Sequence, residues 1–313
     1  PANRVGMSMV AYNGFLYALG GTPDGTAANV TTTVWVSKLG ANGEPQLWHP
    51  SVGTPAYWFV SANTLPAALS YTSIAAYENK LYLVGGRDTS GNSINSVYAA
   101  DLLPTGDVGP WSTTGMQNLT TPGARYGHSV HVYNDTMYVI GGSNSGTLLN
   151  TVYLSKLNTD GTMNAWVQTT SFSTARSSFG GQMTAVWGAY IYLAGGCSVV
   201  TSNYCSTIQS DVQLASINAD GTLAPWNPIL TLSNQRVGYS FVAWQEGLYR
   251  LGGCNNQSTA NACRAAHQSV EFGLVNPAGD ASTVSNSVPS GAGDCITPNF
   301  TNCDLPPAGD TAG

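Results

Sequence analysis

Five stretches of the chain share one pattern, and this pattern decides the fold. They read AYNGFLYALGG (11–21), AYENKLYLVGG (76–86), VYNDTMYVIGG (132–142), VWGAYIYLAGG (186–196) and AWQEGLYRLGG (243–253). In each stretch the aromatic second residue is followed five residues later by a tyrosine. A pair of glycines begins eight residues after the same aromatic residue. A register that holds through five copies indicates an internal repeat.

A second block follows each glycine pair at a constant spacing. It starts at Val34, Val97, Val152, Val212 and Val270. Nine residues later stand Gly43, Gly106, Gly161, Gly221 and Gly279. Fourteen residues later stand Trp48, Trp111, Trp166 and Trp226, with Val284 in the last copy. Both blocks together make a repeat of roughly 55 residues, which is near the length of one β-propeller blade.

Each repeat predicts four antiparallel strands, which we name A, B, C and D. Strands A and B flank a short polar turn such as Asn13-Gly14, which is typical of a tight hairpin. Strand B ends at the glycine pair, a variable loop leads to strand C, and a DGT-type turn leads to strand D. One repeat cannot bury its two faces alone, so neighbouring repeats must stack. The sequence predicts an all-β propeller of five four-stranded blades, with approximate bounds 1–62, 63–118, 119–172, 173–230 and 231–288.

At this point the chain resembles the kelch-repeat family, over residues 1 to about 288. The glycine pairs, the tyrosine before each pair and the strand D tryptophan carry the resemblance, and extracellular bacterial kelch-like proteins look most similar. An arginine before strand A adds to it at Arg4, Arg125 and Arg236. The second repeat has Leu69 instead, and the fourth places Arg176 three residues earlier. The resemblance implies the fold strongly and the function weakly, because propellers host many activities.

Composition narrows the functional classes. Charged residues make up 8% of the chain, against about 25% in an average soluble protein. The net charge is −6 with only 10 lysines and arginines, which argues against nucleic-acid binding. No apolar run reaches 18 residues, so we expect no membrane insertion in this segment. We read the chain, which starts at Pro1, as a processed or excised piece of a precursor.

Six cysteines fall into three close pairs. These pairs are Cys197 with Cys205, Cys254 with Cys263, and Cys295 with Cys303. None has the C-x-x-C spacing of a zinc or redox site. Pairing between neighbours is the simplest of the possible connectivities. It would staple two loops between strands B and C and would indicate an oxidising compartment, hence a secreted or cell-surface protein. Free buried thiols or a metal site are the alternatives.

The two ends of the propeller should differ. Chain direction alternates along a blade, so the A–B and C–D turns lie on one face, the turn face. The B–C loops (22–33, 87–96, 143–151, 197–211 and 254–269) and the D–A links lie on the other, the loop face. The candidate ligand-binding residues on the loop face are Arg4, Arg87, Arg125, Asn144, Arg176, Tyr204, Arg236 and Asn255. The arginines before strand A could contact a ligand or brace the D–A link, since a guanidinium fork suits both tasks.

Three functional hypotheses remain open. The first is a non-catalytic extracellular binding or adhesion module that recognises a glycan or a protein. The second is the displayed subunit of a surface filament or pilus-like assembly, formed with the missing precursor part. The third is a carbohydrate-active enzyme, which would need a carboxylate-lined funnel with perturbed pKa values. No catalytic signature, metal site or cofactor is predicted. Residues 289–313, rich in Pro and Gly, read as a disulfide-containing tail or linker.

Overall fold

The structure is a computed structural model that describes residues 4–49, 54–178, 181–201, 204–232, 235–254, 257–259, 262–263, 270–275 and 281–285. Its main sheets are five in number, antiparallel, and follow one another in sequence, one for each repeat. The predicted all-β five-bladed propeller is therefore confirmed. The predicted tail at 289–313, with Cys295 and Cys303, lies outside the described residues. In the described ranges, no helix is both long and apolar enough to cross a membrane.

Blades 1 and 2 contain strands β1 to β8. Blade 1 consists of β1 (Ser8–Tyr12), β2 (Phe15–Leu19), β3 (Val34–Leu39), β4 (Pro45–Gln46) and β5 (Phe59–Val60), with a 3-10 turn at Ala27–Asn29. Blade 2 consists of β6 (Ser73–Tyr77), β7 (Lys80–Val84) and β8 (Val97–Asp101). Both differ from the predicted four-stranded pattern at strand D. In blade 1 two short strands share the outer edge of β3. In blade 2 an isolated bridge from Ala99 to Ser112 replaces strand D.

Blades 3 to 5 each have the four predicted strands and a small hairpin in the B–C loop. Blade 3 contains β9 (Ser129–Tyr133), β10 (Thr136–Ile140), the hairpin β11 (Ser143–Asn144) and β12 (Thr147–Leu148), then β13 (Val152–Lys156) and β14 (Val167–Thr169). Blade 4 contains β15 (Thr184–Trp187), β16 (Tyr190–Ala194), the hairpin β17 (Cys197–Thr201) and β18 (Tyr204–Ile208), then β19 (Asp211–Ser216) and β20 (Asn227–Thr231). Blade 5 contains β21 (Ser240–Trp244), β22 (Gly247–Leu251), the hairpin β23 (Gln257–Thr259) and β24 (Ala262–Cys263), then β25 (Val270–Val275) and β26 (Ala281–Ser285).

Turn chemistry in the sequence explains the two turns of each blade. In blade 1 the residues between strands A and B, Asn13 and Gly14, have φ of 47° and 77°, which a two-residue hairpin requires. In blade 3 the C–D turn closes on Asp160, whose carboxylate accepts hydrogen bonds from the backbone and hydroxyl of Thr162 at 2.9 and 2.7 Å. The DGT motif therefore makes a turn here, as its residue types favour.

The glycine pairs lie where blades meet. Gly85 of blade 2 has φ of 56°, and a Cβ on it would stand 2.6 Å from the carbonyl oxygen of Arg125 in blade 3. Only glycine combines this conformation with this approach. The apolar core is divided among the blade junctions, since Ile74 of blade 2 packs with Tyr17 and Leu19 of blade 1. Blades 2 to 4 thus each bury one face against the blade before and one against the blade after.

Strand A is innermost and lines the central channel. Successive A strands contact one another from β1 through β6, β9 and β15 to β21. A cavity of about 100 Å³ lies between them, enough for a few water molecules. All five blades contribute to it, with glycines and small polar residues prominent, among them Ser8, Thr72, Ser73, Gln182 and Ser240.

Candidate binding face

The loop face carries the variable segments, as the sequence predicts, and three of its B–C loops are built as hairpins. The hairpin of blade 4 is stapled by the Cys197–Cys205 disulfide, with Cα atoms 5.6 Å apart. This pairing of neighbours is confirmed. Cys254 is also in a disulfide, and the side chain of its predicted partner Cys263 lies outside the described residues. Staples of this kind limit the conformations open to a long loop.

The four arginines before strand A are braces of their own blades. Each donates a hydrogen bond to the carbonyl of the first glycine in the pair. The donor–acceptor distances are 3.3 Å for Arg4 to Gly20, 3.0 Å for Arg125 to Gly141, 2.9 Å for Arg176 to Gly195 and 3.1 Å for Arg236 to Gly252. The last three arginines are almost completely buried. These contacts favour the bracing role over ligand contact, which stays a prediction for all four.

The braces differ in how their charge is compensated. Arg125 lies over the Tyr153 ring, 5.8 Å from its centroid, and burial lowers the pKa of Arg125 to about 10. Arg176 forms a two-point ion pair with Asp211 at 2.6 and 3.2 Å. Its guanidinium and a hydrogen bond from Gln213 lower the pKa of that carboxyl, against the effect of burial.

In blade 5 the compensation is a buried ionic cluster. Arg236 donates to the Glu271 carboxylate at 2.8 Å, and Arg250 donates to the other oxygen of the same carboxylate at 2.8 Å. All three side chains are at most 1% exposed. Charges this deeply buried serve the structure and do not present themselves to a ligand.

Arg87 is the predicted site residue with a different environment. It is half-buried at the start of the blade 2 B–C loop, and its Nε donates to the Gly91 carbonyl at 3.0 Å. Its guanidinium carbon lies 5.6 Å from the centroid of the Tyr126 ring. Tyr126 in turn lies 6.2 Å from Tyr71, measured between ring centroids. Arg87, Tyr126 and Tyr71 form what we call the arginine–tyrosine cluster.

No side chain within the described ranges neutralises Arg87 by an ion pair. The adjacent carboxylate of Asp88 accepts hydrogen bonds instead from the backbone of Ser90 and Asn92, at 2.9 and 2.8 Å. These bonds lower the pKa of Asp88 against the effect of burial. The positive charge of Arg87 is therefore held on an aromatic surface at the loop face, with Asp88 engaged by its own loop.

The cluster adjoins the channel. Tyr71 borders the cavity of about 100 Å³, and its ring lies against Gly6, where a Cβ would stand 3.1 Å from three ring atoms. Burial raises the pKa of the Tyr71 hydroxyl, while the charge of Arg87 lowers it. Tyr71 has φ of 53°, a backbone conformation that residues other than glycine rarely adopt. Such residues are often found at functional sites.

The remaining predicted site residues are separated. Asn144 is half-buried in β11, beside a neighbour, Ser145, whose backbone N–H donates to the Ser93 hydroxyl at 2.8 Å. This bond joins the B–C loops of blades 2 and 3 next to the arginine–tyrosine cluster. Tyr204 lies in β18 of the stapled hairpin, and Asn255 lies outside the described residues. The structure brings Arg87 and Asn144 to neighbouring loops and leaves Tyr204 in the hairpin of another blade.

A carboxylate-lined funnel, which the enzyme hypothesis requires, is not found among the described residues. The residues around the channel cavity include no Asp or Glu. No group of three His, Cys, Asp or Glu side chains in the described ranges could hold a metal ion. His131 lies in strand A of blade 3, and His128 directly precedes that strand. Burial, together with the charge of Arg125, lowers the pKa of His128 to about 3.

Sequence reasoning missed Tyr71 and Tyr126. Tyr126 directly follows the brace Arg125, and Tyr71 lies six residues before the repeat aromatic Tyr77. One signal was available, because the corresponding position of blade 1 is Gly6. A glycine opposite a tyrosine at the same register position in adjacent repeats is compatible with the ring of one blade packing over the backbone of the next.

Comparison with known proteins gives a family match and two curated relatives. The KLHDC2/KLHL20/DRC7 Kelch-repeats domain matches residues 6–253. Alpha-scruin of Limulus polyphemus is 27% identical over 139 residues, which are 44% of this chain and 14% of that protein. Kelch domain-containing protein 3 of Bos taurus is 37% identical over 70 residues, which are 22% of this chain and 17% of that protein. The matched segments thus span less than a fifth of either relative.

A solved structure titled "Structure of YjhT" superimposes with a TM-score of 0.64 at 15% identity. The superposition covers 90% of this chain and 84% of that one. At this identity the likeness concerns the fold.

Proposed function

This chain belongs to the kelch-repeat family, and we propose that it is a non-catalytic binding module that recognises a protein partner through its loop face. The observation that carries the proposal is the state of Arg87. It is a half-exposed guanidinium stacked on an aromatic ring, and it has no ion pair among the described residues. Arginine and tyrosine are the residue types that dominate binding hot spots.

The chemistry of the cluster indicates the partner group. A guanidinium presents paired N–H donors that match a carboxylate. Because the Tyr126 ring already holds the Arg87 guanidinium in place, little of its conformational entropy is lost on binding. The partner therefore presents an Asp or Glu side chain, or a chain-terminal carboxylate, with an apolar group that packs on Tyr126 and Tyr71. The hydrogen-bonded loops at Ser93 and Ser145 hold the cluster in place, and this reduces the ordering cost of binding.

We place the module outside the cell or on its surface. The Cys197–Cys205 disulfide supports this location, because disulfides of structural type are rare in reducing compartments. The low proportion of charged residues fits the same assignment.

A glycan is a second candidate ligand, favoured by the two tyrosine rings of the cluster. Tyr71 and Tyr126 are both half-buried at the channel mouth and offer aromatic surface to a sugar ring. The unpaired charge of Arg87 favours a carboxylate-bearing ligand, so a protein remains the first choice.

The test is selection of peptide binders with the purified 313-residue chain under oxidising conditions. A displayed random peptide library and a glycan array are screened in parallel. We expect peptides rich in Asp, Glu or a free carboxyl terminus, with affinity that weakens as salt rises. Substitution Arg87→Ala should weaken these binders at least tenfold, and Tyr126→Ala should weaken them as well.

The matched control is Lys38→Ala, which removes an exposed positive charge near the C–D turn of blade 1 on the turn face. It should leave binding unchanged. Peptides that bind equally well to the Arg87→Ala and unsubstituted chains would contradict the site. Selective glycan binding without peptide binding would contradict the proposed partner class.

A further inference from the structure

The junctions of blades 1 to 4 repeat two hydrogen bonds between consecutive blades. The first is donated by the strand B tyrosine to the carbonyl of the C–D turn glycine in the next blade. Its three described examples are Tyr17 to Gly106 at 3.0 Å, Tyr82 to Gly161 at 3.1 Å and Tyr138 to Gly221 at 2.7 Å. The second is donated by the strand D tryptophan to the preceding D–A link. Its examples are Trp111 to Asn63 at 3.3 Å, Trp166 to Gln117 at 2.8 Å and Trp226 to Thr170 at 2.9 Å.

The junction between blade 5 and blade 1 lacks these bonds among the described residues. Direct closure of the ring would bring Tyr249 to the Gly43 carbonyl. Tyr249 makes no such bond, and no atom lies within 4 Å of the place where a Cβ on Gly43 would stand. The counterparts in other blades are covered, since Gly106 meets Phe15 and Gly161 meets Lys80 of the preceding blade at under 3 Å. We call this unfilled junction the seam.

Apolar side chains on both sides of the seam are exposed. Met9 of blade 1 is 46% exposed, whereas its counterparts, which pack on the preceding blade, are at most 7% exposed: Ile74, Val130, Thr184 and Phe241. Leu251 of blade 5 is 40% exposed, whereas its counterparts, which pack on the following blade, are at most 1% exposed: Leu19, Val84, Ile140 and Ala194. Val242 and Trp244 of β21 are also nearly half exposed.

We propose that the seam is filled by one further kelch-like blade of the same polypeptide, outside these 313 residues. A blade satisfies both sides at once. Its C–D turn glycine offers a carbonyl to Tyr249, and its own strand B tyrosine donates to Gly43. Each blade here packs against its neighbour in sequence, so the neighbour of blade 1 or blade 5 is an adjacent repeat. About a sixth of the similar solved chain lies outside the superposition, which is roughly one blade.

A second copy of the ring does not fit the seam as well. A copy could place one blade there only with the adjoining blades attached, and these would meet blades 1 and 5 of the first ring. Residues 286–313 are about half as long as one repeat, so they are too short for four strands.

The experiment is hydroxyl-radical footprinting read by mass spectrometry, which needs no substitution. Met9 and Trp244 report on the seam, and the buried Met183 and Trp166 serve as internal controls of folding. Three samples are compared: the 313-residue chain, the same chain with a second copy of residues 119–172 fused ahead of Pro1, and the polypeptide as its source organism makes it. In the 313-residue chain we expect Met9 and Trp244 to oxidise at least tenfold faster than Met183 and Trp166. In the other two samples their rates should fall to within threefold of the controls.

Four outcomes would overturn the proposal. Protection of Met9 in the dilute 313-residue chain would mean that the seam is closed within these residues, by blade 5 itself or by residues 286–313. Protection that grows with protein concentration would identify a second copy as the occupant. Fast oxidation in the natural polypeptide would mean that nothing fills the seam. Protection there, without protection in a fused chain whose Met183 and Trp166 stay slow, would mean that the occupant is not a blade.

Discussion

The loop face over blades 2 and 3 and the same face over blades 4 and 5 use arginine in opposite ways. Over blades 4 and 5 the arginines are buried and paired with Asp211 or Glu271. Over blades 2 and 3, Arg87 stacks on Tyr126 and has no ion pair among the described residues. The positions differ, because Arg87 follows the glycine pair while Arg176 and Arg236 precede strand A. The nearby carboxylates differ as well, since only Arg176 and Arg236 reach one. Arg125 of blade 3 also has no ion pair among the described residues but is fully buried. An arginine is therefore available for binding where it is both partly exposed and without a carboxylate partner, as Arg87 is while Asp88 is engaged by its own loop.

The largest expected effect is on stability and comes from removing the ion pairs of blade 5. Substitution Glu271→Gln removes the negative charge between Arg236 and Arg250 and should lower the free energy of unfolding by about 3–5 kcal/mol, because it leaves buried positive charge uncompensated. Urea unfolding with the disulfides intact measures the change.

Arg250→Leu is the matched variant, because Leu83 and Leu193 occupy the same position in blades 2 and 4. It leaves Glu271 paired with Arg236 and should cost under about 1.5 kcal/mol. Equal losses in the two variants would show that the cluster acts as a unit and that the charge balance is not decisive.

An effect of intermediate size is expected for the free energy of unfolding in acid, and it is due to His128, which lies between blades 2 and 3. Burial and the charge of Arg125 lower the pKa of His128 from 6.5 to about 3. As the pH falls below 6.5, the His128 imidazole therefore binds a proton in the unfolded chain but not in the folded chain. Stability is complete above pH 6.5 and is lost on acidification toward pH 3, by about 2–3 kcal/mol at pH 4.5 for this group.

Substitution His128→Met, which introduces the residue that blade 1 has at this position (Met7), should flatten that dependence. The free energy of unfolding is measured at pH 4.5 and pH 7 for both proteins. An identical difference in the two proteins would show that His128 does not titrate in this way.

The smallest expected effect on stability comes from Arg87, and it is compared with the effect of the buried brace Arg125. Arg87→Ala should lower the free energy of unfolding by about 1 kcal/mol, because it removes one hydrogen bond to Gly91 and a partly exposed contact with the Tyr126 ring. Arg125→Ala, by contrast, removes a buried donor from the Gly141 and Gly123 carbonyls and should cost several times more. Comparable losses would make Arg87 a brace as well and would weaken its assignment to binding.

The sequence was sufficient for features that depend on local spacing. Glycine and aromatic positions predicted the blade number and the B–C loop bounds, because each turn is specified by its own residues. It also predicted the Cys197–Cys205 bond, which joins residues only eight apart. Small hairpins within the loops were not predicted, since strands as short as β11 (Ser143–Asn144) have no readable alternation.

Features that depend on distant partners could not be predicted in this way. The bracing of Arg236 depends on Glu271, 35 residues away, and the aromatic support of Arg87 depends on Tyr126, 39 residues away. The seam was beyond reach for a related reason. Closure depends on the small angle between successive blades, which is summed over all junctions and specified by no single residue. The loss of strand D in blade 2 has no such signal, because Pro225 of blade 4 stands at the position of Pro110 and β20 (Asn227–Thr231) is present there.

The tyrosine-to-glycine bonds have a consequence for how the chain folds. Each bond joins a blade only to the next one, as Tyr82 does to Gly161, so the described contacts require no early meeting of the two ends of the chain. Folding can start at any junction and extend to either side, one blade at a time. The middle blade, supported from both sides, is then the last to open, and fraying starts at blades 1 and 5.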